Sequence, residues 1–446
     1  MTESVVVTAD RAITAPGVSR GATAVLAIDG AIVLVGDPAD VLADPRAAGA
    51  TRIDWSRRAL VPGTVNSHNH SFQSLLRGIG DDLPFLEWRE KALYRYSPRL
   101  GAEDMGTAAL FAFGEMLLHG VTTVCDFYYL NAQGNDNASA TIEAAKRLGM
   151  RIVLARCFYD WDGAPASYRE TIPQAIANFE GLAKRYQDRE RFLTSVQPAP
   201  HSQHGATPAM IEAGAGCARD AGVPWHIHLA EETYQVEQSL QRFGARPLHA
   251  IAALPVDVSQ MIAVHGCWFD AGERALLAER GGSLAYCPGS NMFLGDGVTD
   301  IVDLIAKGAR IGLGTDGGCS NNRVSVFDEM RMAALLQKVH RTDGQAISAE
   351  TCFALGTRTA GDVLRLPIGQ IAPGYRCDLV ALDLDDPSLW PVQALEKNVV
   401  YALSSRAITD VVVDGQEVVS GRRLRNVQLD EIQVRVSELT RDWRRD

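Results

Sequence analysis

The 446-residue sequence has no Cys-x-x-Cys pair, no long apolar run and no excess of positive charge. Its eight scattered cysteines favour the reduced, mostly buried thiols of a cytoplasmic protein over a disulfide framework or a thiolate zinc site. No apolar run reaches the roughly 18 residues of a membrane span. The first residues carry no basic segment followed by an apolar core, so we expect no secretory signal. The formal charge of −11 argues against nucleic acid or an anionic membrane as the main partner.

Internal repeats and low-complexity segments are also lacking. In their place, the middle of the chain alternates short apolar runs with longer segments whose apolar residues recur three and four positions apart, such as Ala102–His119 and Pro208–Ala221. The apolar runs are Ala59–Val65, Val121–Phe127, Arg151–Cys157, Phe192–Gln197, Pro224–Leu229, Met261–Val264, Ser283–Cys287 and Ala309–Gly314. Eight strands buried on both faces and alternating with helices predict an α/β fold, a (β/α)₈ TIM barrel.

The two ends of the chain differ from its middle, because their β-type runs are short and broken by Gly and Asp turns. Near the end, Asp414-Gly415 separates two β-branched runs, which is a strong hairpin signal. We predict a small β-sandwich domain built from both termini, with residues 1–58 and 368–446 flanking a barrel of residues 59–367. A helical tail at about 429–445 is expected to end the second part.

Polar side chains that can bind a metal follow four of the predicted strands. His68 and His70 follow the first strand, His228 ends the fifth, His265 follows the sixth and Asp316 follows the eighth. Active sites of such barrels lie at the carboxyl ends of the strands, and positions i and i+2 of an extended segment share a face. Three imidazoles from this set, together with the carboxylate, suit zinc or ferrous iron and leave a position for water.

Each of these residues alone has a simpler explanation. A His-x-His pair in a strand is more often a surface or packing feature, and an Asp after a strand is usually a turn or a helix cap. The metal site is favoured because the residues occupy the ends of strands 1, 5, 6 and 8 of one predicted barrel. His226 also faces the barrel interior, but one layer deeper, so we predict a structural role for it.

The motifs that carry these residues resemble the mononuclear deaminase branch of the amidohydrolase superfamily. The resemblance covers nearly the whole chain and rests on Pro62-Gly63, His68-x-His70, His228-x-x-Glu231, His265, Tyr286-Cys287-Pro288-Gly289-Ser290-Asn291 and Thr315-Asp316. It implies one zinc or iron ion held by His68, His70, His228 and Asp316, and a homodimer or higher homo-oligomer. A single metal is expected because the fourth strand offers no lysine for a bridging carbamate.

The chemistry predicted for such a site is hydrolysis of a carbon–nitrogen bond other than a peptide bond. A bound cation lowers the pKa of its water towards about 7 and supplies hydroxide, which attacks an sp² carbon bearing an amino group. Ammonia leaves only when protonated, so a general acid/base is needed, and Glu231 fits this role. His265 and Asp316 are expected to orient the hydroxide as further catalytic residues.

The segment after the first strand suggests the substrate. Gln73 resembles the residue that contacts the ring in guanine, 8-oxoguanine and pterin deaminases, and Arg77 and His201 offer further polar contacts. Trp88 belongs to an aromatic loop at about 80–100 that we expect to cover the flat face of the substrate. We therefore predict a small oxopurine- or pterin-like base. The simpler alternatives are a helix cap for Gln73, a solvated charge for Arg77 and rim packing for the loop.

Other functions are left open by the same residues. Phe72-Gln73 and Trp88-Arg89-Glu90 also resemble formiminoglutamate deiminases, where Arg89 and Tyr128 would grip a carboxylate, but the arginine expected after the fourth strand is replaced by His201-Ser202-Gln203-His204. A triazine-type hydrolase is a further alternative. A nucleoside is disfavoured, because the loop lacks the acid that holds a ribose diol in adenosine-type relatives. A non-catalytic scaffold is disfavoured because every ligand position is filled.

Overall fold

The computed structural model describes residues 3–443. In order along the chain, its strands are β1 (Ser4–Ala15), β2 (Val18–Arg20), β3 (Thr23–Ile28), β4 (Ala31–Gly36), β5 (Thr51–Pro62), β6 (Thr64–His70), β7 (Val121–Tyr128), β8 (Arg151–Phe158), β9 (Thr194–Pro200), β10 (Trp225–Leu229), β11 (Met261–His265), β12 (Ser283–Tyr286), β13 (Arg310–Leu313), β14 (Asp316–Gly317), β15 (Leu379–Asp383), β16 (Ile408–Val413), β17 (Gln416–Ser420) and β18 (Arg423–Leu424).

The helices within residues 3–443 lie mostly between the strands of the middle region. They are α1 (Pro38–Ala43), α2 (Phe85–Trp88), α3 (Tyr94–Tyr96), α4 (Ala102–Leu118), α5 (Asp136–Leu148), α6 (Ile172–Tyr186), α7 (Pro208–Ala221), α8 (Thr233–Phe243), α9 (Pro247–Ala252), α10 (Ala271–Glu279), α11 (Pro288–Leu294), α12 (Ile301–Ala306), α13 (Val326–Arg341), α14 (Ala349–Leu355), α15 (Arg358–Leu364), α16 (Leu395–Tyr401) and α17 (Leu429–Leu439). The predicted tail is thus helical to Leu439, and its last two residues lie outside the described part of the chain.

The strands of the middle region form a (β/α)₈ barrel, as predicted. Strands β6 to β9 pair in parallel in chain order, and β10 to β13 do the same. Two pairings close the barrel, one between Ser202 and His228 and one between Asp316 and Asn69. Every residue of β6 to β12 is buried, which explains why these strands appear as continuous apolar runs.

The first predicted strand is in fact shared by two sheets. Its first half belongs to β5 of the terminal sheet, and its second half begins β6 of the barrel. Ala59 and Val61 pack into the barrel core, whereas Leu60 packs into the core of the β domain, so both faces of this stretch are apolar. His68 and His70 therefore lie inside β6 rather than after it.

The terminal β domain is built from both ends of the chain. Its nine-stranded sheet has the order β18-β17-β16-β15-β5-β1-β3-β4, with β2 paired to β1. Asp414 and Gly415 have φ angles of 52° and 83° and connect β16 to β17, as the hairpin signal predicts. Because β5 continues to Pro62, the predicted division between residues 58 and 59 falls inside this strand.

A buried charge cluster joins the amino end of the barrel to this domain. The Arg151 guanidinium, which is fully buried at the start of β8, donates two hydrogen bonds of 3.0 Å to Asp378 and one of 3.3 Å to Asp414. Arg376 and Arg191 also bind Asp414, at 2.7 Å and 2.6 Å. The cluster lies at the opposite end of the barrel strands from the histidines predicted to bind metal.

Two further sequence expectations concern membranes and thiols. Within residues 3–443, no helix is both long and apolar enough to cross a membrane. All eight cysteines are free, and all but Cys217 are buried. The cysteines therefore act as small apolar residues of the core, as predicted.

Candidate metal centre

Three imidazoles and one carboxylate meet at the carboxyl ends of the barrel strands. The Oδ1 atom of Asp316 lies 3.3 Å from His68 Nε2 and 3.2 Å from His70 Nε2. His228 Nε2, at the end of β10, lies 3.2 Å from His68 Nε2. The structure thus brings together the four side chains that the sequence suggested as ligands.

Backbone carbonyls fix which nitrogen of two of these imidazoles is unprotonated. His70 Nδ1 lies 2.7 Å from the carbonyl oxygen of Phe127, and His228 Nδ1 lies 2.9 Å from that of His201. A carbonyl oxygen only accepts hydrogen bonds, so each Nδ1 carries the proton and each Nε2 directs a lone pair at the centre. Histidines that bind metals have this arrangement.

The carboxylate of Asp316 is held so that one oxygen is left for a cation. Ser290 and Ser320 donate hydrogen bonds of 2.6 Å and 2.8 Å to Oδ2, whereas the buried Oδ1 accepts none. A carboxylate oxygen and converging lone pairs repel one another unless a cation lies among them. The donor set therefore fits a divalent metal such as zinc or ferrous iron.

Glu231 and His265 lie side by side next to this cluster. His265 Nε2 is 3.4 Å from Glu231 Oε1 and is buried without a hydrogen-bond partner, while its Nδ1 lies 3.0 Å from Asn291 Oδ1. Burial raises the pKa of Glu231, and the negative charge of Asp316 adds to the shift while His265 opposes it. A raised pKa suits a carboxyl group that exchanges protons near neutral pH.

The ends of three barrel strands have an unusual backbone. Ala230, His265 and Asp316 have φ angles of 50°, 69° and 57°, in the left-handed region that residues with a Cβ rarely adopt. Two of the three, His265 and Asp316, are residues of the candidate site. Backbone strain of this kind is typical of functional sites.

A buried glutamate supports the loop that holds two of these residues. Glu329 of α13 accepts hydrogen bonds of 2.8 Å from the Gly289 N–H and 2.7 Å from the Asn321 side chain. Burial raises the pKa of Glu329 to about 8. A Cβ on Gly289 would lie 2.5 Å from Glu329 Oε1, so a larger residue here would displace this carboxylate. The next two residues are Ser290 and Asn291, which bind Asp316 and His265.

A pocket opens above the ligand cluster. Its lining includes Gln73, Trp88 and His201, three of the four residues predicted to contact the substrate. The Trp88 indole donates a hydrogen bond of 2.9 Å to the carbonyl of Cys319, which fixes the aromatic loop over the barrel. Gln73 Nε2 donates a 2.8 Å hydrogen bond to the Tyr129 hydroxyl.

The fourth predicted contact, Arg77, does not lie at this pocket. Its guanidinium pairs with Glu115 of α4 at 2.7 Å and lies over the Phe111 ring. Tyr128, considered for carboxylate binding, is also absent from the lining, and its hydroxyl donates to the carbonyl of Leu130. Arg89, from the same alternative, does line the pocket.

Several lining residues were not identified from the sequence. They are Leu93, Tyr129, Tyr159, Tyr168, His204 and Leu294. Tyr129 and Tyr159 directly follow β7 and β8, so the rule that barrel sites lie after strands could have found them. Burial lowers the pKa of His201 well below its usual value and that of His204 to about 4, so both imidazoles are neutral at pH 7.

A (β/α)₈ barrel with an imidazole-rich cluster beside a buried carboxyl is typical of metal-dependent hydrolases. The chain matches the model of the amidohydrolase family over residues 59–418. It is 31% identical to a 5-methylthioadenosine/S-adenosylhomocysteine deaminase of Syntrophobacter fumaroxidans over 94% of this chain and 93% of that protein. It is 34% identical to the enzyme of the same name from Natronomonas pharaonis, over 87% and 90% of the two chains.

Among solved structures, an adenosine deaminase from Xanthomonas campestris with bound zinc superposes with a TM-score of 0.90 at 27% identity, over 98% of each chain. The chain belongs to the amidohydrolase family. It is a hydrolase that acts on carbon–nitrogen bonds, and the ligand set and the zinc-bound neighbour together support a divalent metal.

Proposed function

We propose that this protein is a metal-dependent hydrolytic deaminase of an amino-substituted N-heterocycle, and specifically of an oxopurine- or pterin-like base. The observation that carries the proposal is the contact between Glu231 and His265 beside the ligand cluster, at the floor of an aromatic pocket. Hydrolytic release of ammonia needs a polarised water and a proton carrier within reach of one carbon.

The metal is proposed to be held by His68, His70, His228 and Asp316, with zinc as the first choice and ferrous iron as the alternative. When bound, such an ion polarises water and so supplies a nucleophile at neutral pH. The fixed tautomers of His70 and His228 and the unpaired oxygen of Asp316 support this assignment.

Glu231 is proposed to move the proton. It accepts one proton from the attacking water and delivers it to the ring nitrogen as the carbon–oxygen bond forms. It then takes the second proton of the same oxygen and delivers it to the amine, so that ammonia leaves as the carbon–nitrogen bond breaks. The unpaired Nε2 of His265 is placed to hydrogen-bond the attacking oxygen. The serine hydroxyls of Ser290 and Ser320 hold Asp316 through its Oδ2 atom. Asp316 held in this way is proposed to orient the same water.

The walls of the pocket support a flat, neutral base as the substrate. Trp88, Phe85 and Tyr94 supply aromatic surface, and the neutral imidazole of His201 and the amide of Gln73 supply hydrogen-bond partners for a heterocycle. Among the described lining residues, the only carboxylates are Glu231 and Asp316. No acid is thus placed to bind a sugar diol farther from the metal.

A second candidate substrate is an adenine nucleoside with a thioether at the 5′ position. This candidate is favoured by the names of the relatives at 31% and 34% identity, which are deaminases of such nucleosides. It shares the proposed metal and proton chemistry and differs in requiring space and hydrogen bonds for a ribose.

The test is ammonia release by metal-loaded protein from a panel of heterocycles and rivals. The panel comprises guanine, 8-oxoguanine, isoxanthopterin, cytosine, adenosine, 5′-methylthioadenosine, S-adenosylhomocysteine, melamine and formiminoglutamate. Turnover that is fastest on an oxopurine or pterin supports the first proposal. Turnover confined to the nucleosides replaces it with the second, and turnover on formiminoglutamate alone would assign substrate binding to Arg89.

The role of Gln73 can be tested with the best substrate of that panel. We expect Gln73→Ala to raise KM about 5- to 10-fold with a smaller effect on kcat, since one hydrogen bond to the bound ring is lost. Arg77→Gln is the matched control, because Arg77 follows on the same segment but pairs with Glu115 outside the pocket. An unchanged KM for Gln73→Ala, or a raised KM for Arg77→Gln, would contradict these assignments.

A further inference from the structure

Glu231 has a second partner that the proposed mechanism does not use. Gln235, in the first turn of α8, is buried and touches Glu231 twice. The backbone N–H of Glu231 donates a 3.0 Å hydrogen bond to Gln235 Oε1, and Gln235 Nε2 lies 3.3 Å from Glu231 Oε2. One amide side chain therefore holds both the main chain and the carboxylate of the same residue.

The orientation of the Gln235 amide follows from its two partners. A backbone N–H can only donate, so the oxygen of the amide must face it, and the NH₂ group must then face the carboxylate. The two contacts are consistent with each other in this orientation and in no other. The usual ambiguity between the oxygen and nitrogen of a glutamine is thereby removed.

These contacts hold the carboxylate of Glu231 in one orientation, with one oxygen facing His265. Oε2 is tied to Gln235, and Oε1 is left facing His265 Nε2 at 3.4 Å. A glutamate has three rotatable side-chain bonds, and no described hydrogen bond other than that from Gln235 reaches its carboxylate. Glu231 also lies in the short connection between β10 and α8, directly after the left-handed residue Ala230. The hydrogen bonds to Gln235 in the first turn of α8 therefore restrict the movement of Glu231, which no helix or strand holds at this position.

We propose that Gln235 is a positioning residue that holds the Glu231 carboxylate in the orientation needed for proton transfer. This inference rests on the proposed function, because it requires Glu231 to be the proton carrier. Glutamine is the residue suited to this task, since it accepts from the N–H and donates to the carboxylate at once. Glutamate would keep the first contact and lose the second, and leucine would lose both.

The experiment compares Gln235→Leu, Gln235→Glu and wild type on the best panel substrate, with Gln238→Leu as the control. Gln238 lies on the same helix but is exposed and has no hydrogen bond to Glu231. We expect Gln235→Leu to lower kcat about 10- to 100-fold with KM and bound metal unchanged, as for a catalytic group displaced by about 1 Å. Gln235→Glu should also lower kcat, and its preserved backbone contact makes it the variant to use if leucine prevents folding.

A double variant separates positioning from general support of the fold. If Gln235 acts through Glu231, then Gln235→Leu should cause no further loss of the residual rate in a Glu231→Gln background. Equal losses in both backgrounds, or an unchanged kcat in both Gln235 variants, would overturn the inference. Full activity of Glu231→Gln alone would instead refute the proposed function, so the two failures are distinguishable.

Discussion

Replacing Glu231 with glutamine should lower kcat by about 10²- to 10⁴-fold, the range measured for loss of a general acid/base. Glutamine has nearly the same volume and can keep the contact with Gln235, but it cannot accept or deliver a proton at neutral pH. Glu231 is not one of the four residues proposed to bind the metal, so the bound metal should stay at one ion per chain. Steady-state kinetics and metal analysis of the same preparation test both parts.

The control for this variant is Glu237→Gln, which makes the same chemical change at an exposed position of α8. Its kcat and KM should equal those of the wild type. Wild-type turnover by Glu231→Gln would show that another group carries the proton. Loss of metal from Glu231→Gln would show instead that Glu231 takes part in holding the ion.

Replacing Arg151 with methionine should lower the free energy of unfolding by about 3–5 kcal/mol, the usual effect of removing one partner of a buried ion pair. Asp378 would lose both of its 3.0 Å hydrogen bonds from this guanidinium and would remain buried without its cationic partner, holding only the 2.8 Å hydrogen bond from the Asp414 N–H. Asp414 would keep Arg376 and Arg191 and should contribute less to the loss. Urea unfolding followed by fluorescence and circular dichroism measures the effect.

The matched control is Arg147→Met, because Arg147 is half exposed and pairs with exposed Glu431 at 3.4 Å. Its effect should stay below about 1 kcal/mol. Arg151 lies at the amino end of β8, opposite the metal centre, so the folded Arg151→Met protein should keep the wild-type kcat. Stability equal to wild type would mean that water or movement of the domain compensates the charge of Asp378.

The barrel could be predicted because its strands are buried on both faces and are therefore continuously apolar. The sequence predicts the first strand too early for the same reason, since Ala59–Val61 are apolar in β5, where they join the cores of both domains. Sequence alone cannot tell which of two consecutive sheets buries such a run. The clustering of the candidate ligands could be predicted because they occur at strand ends, where a parallel barrel must bring them together.

The residues that line the pocket were harder to predict, as Gln73 and Arg77 show. The segment Ser71–Leu76 is a 3₁₀ helix, in which residues three apart share a face and residues four apart do not. Arg77 therefore points to α4 while Gln73 points into the pocket. Tyr168 and His204 reach the pocket from connections whose course depends on the packed barrel. Gln235 could not be identified because its role depends on two contacts with one residue.

The left-handed conformations of Ala230, His265 and Asp316 lower the stability of the fold at the candidate site. Each costs about 1–3 kcal/mol, and the packed barrel must supply that free energy. Of the three, Ala230 has no polar side chain to lose, whereas His265 and Asp316 are also held by Asn291, Ser290 and Ser320. A directed-evolution experiment that selects for heat resistance alone should therefore find Ala230→Gly before any change at His265 or Asp316, because replacing either of those would leave buried polar partners unpaired. Heat resistance could in this way be gained next to the candidate site without loss of its functional side chains.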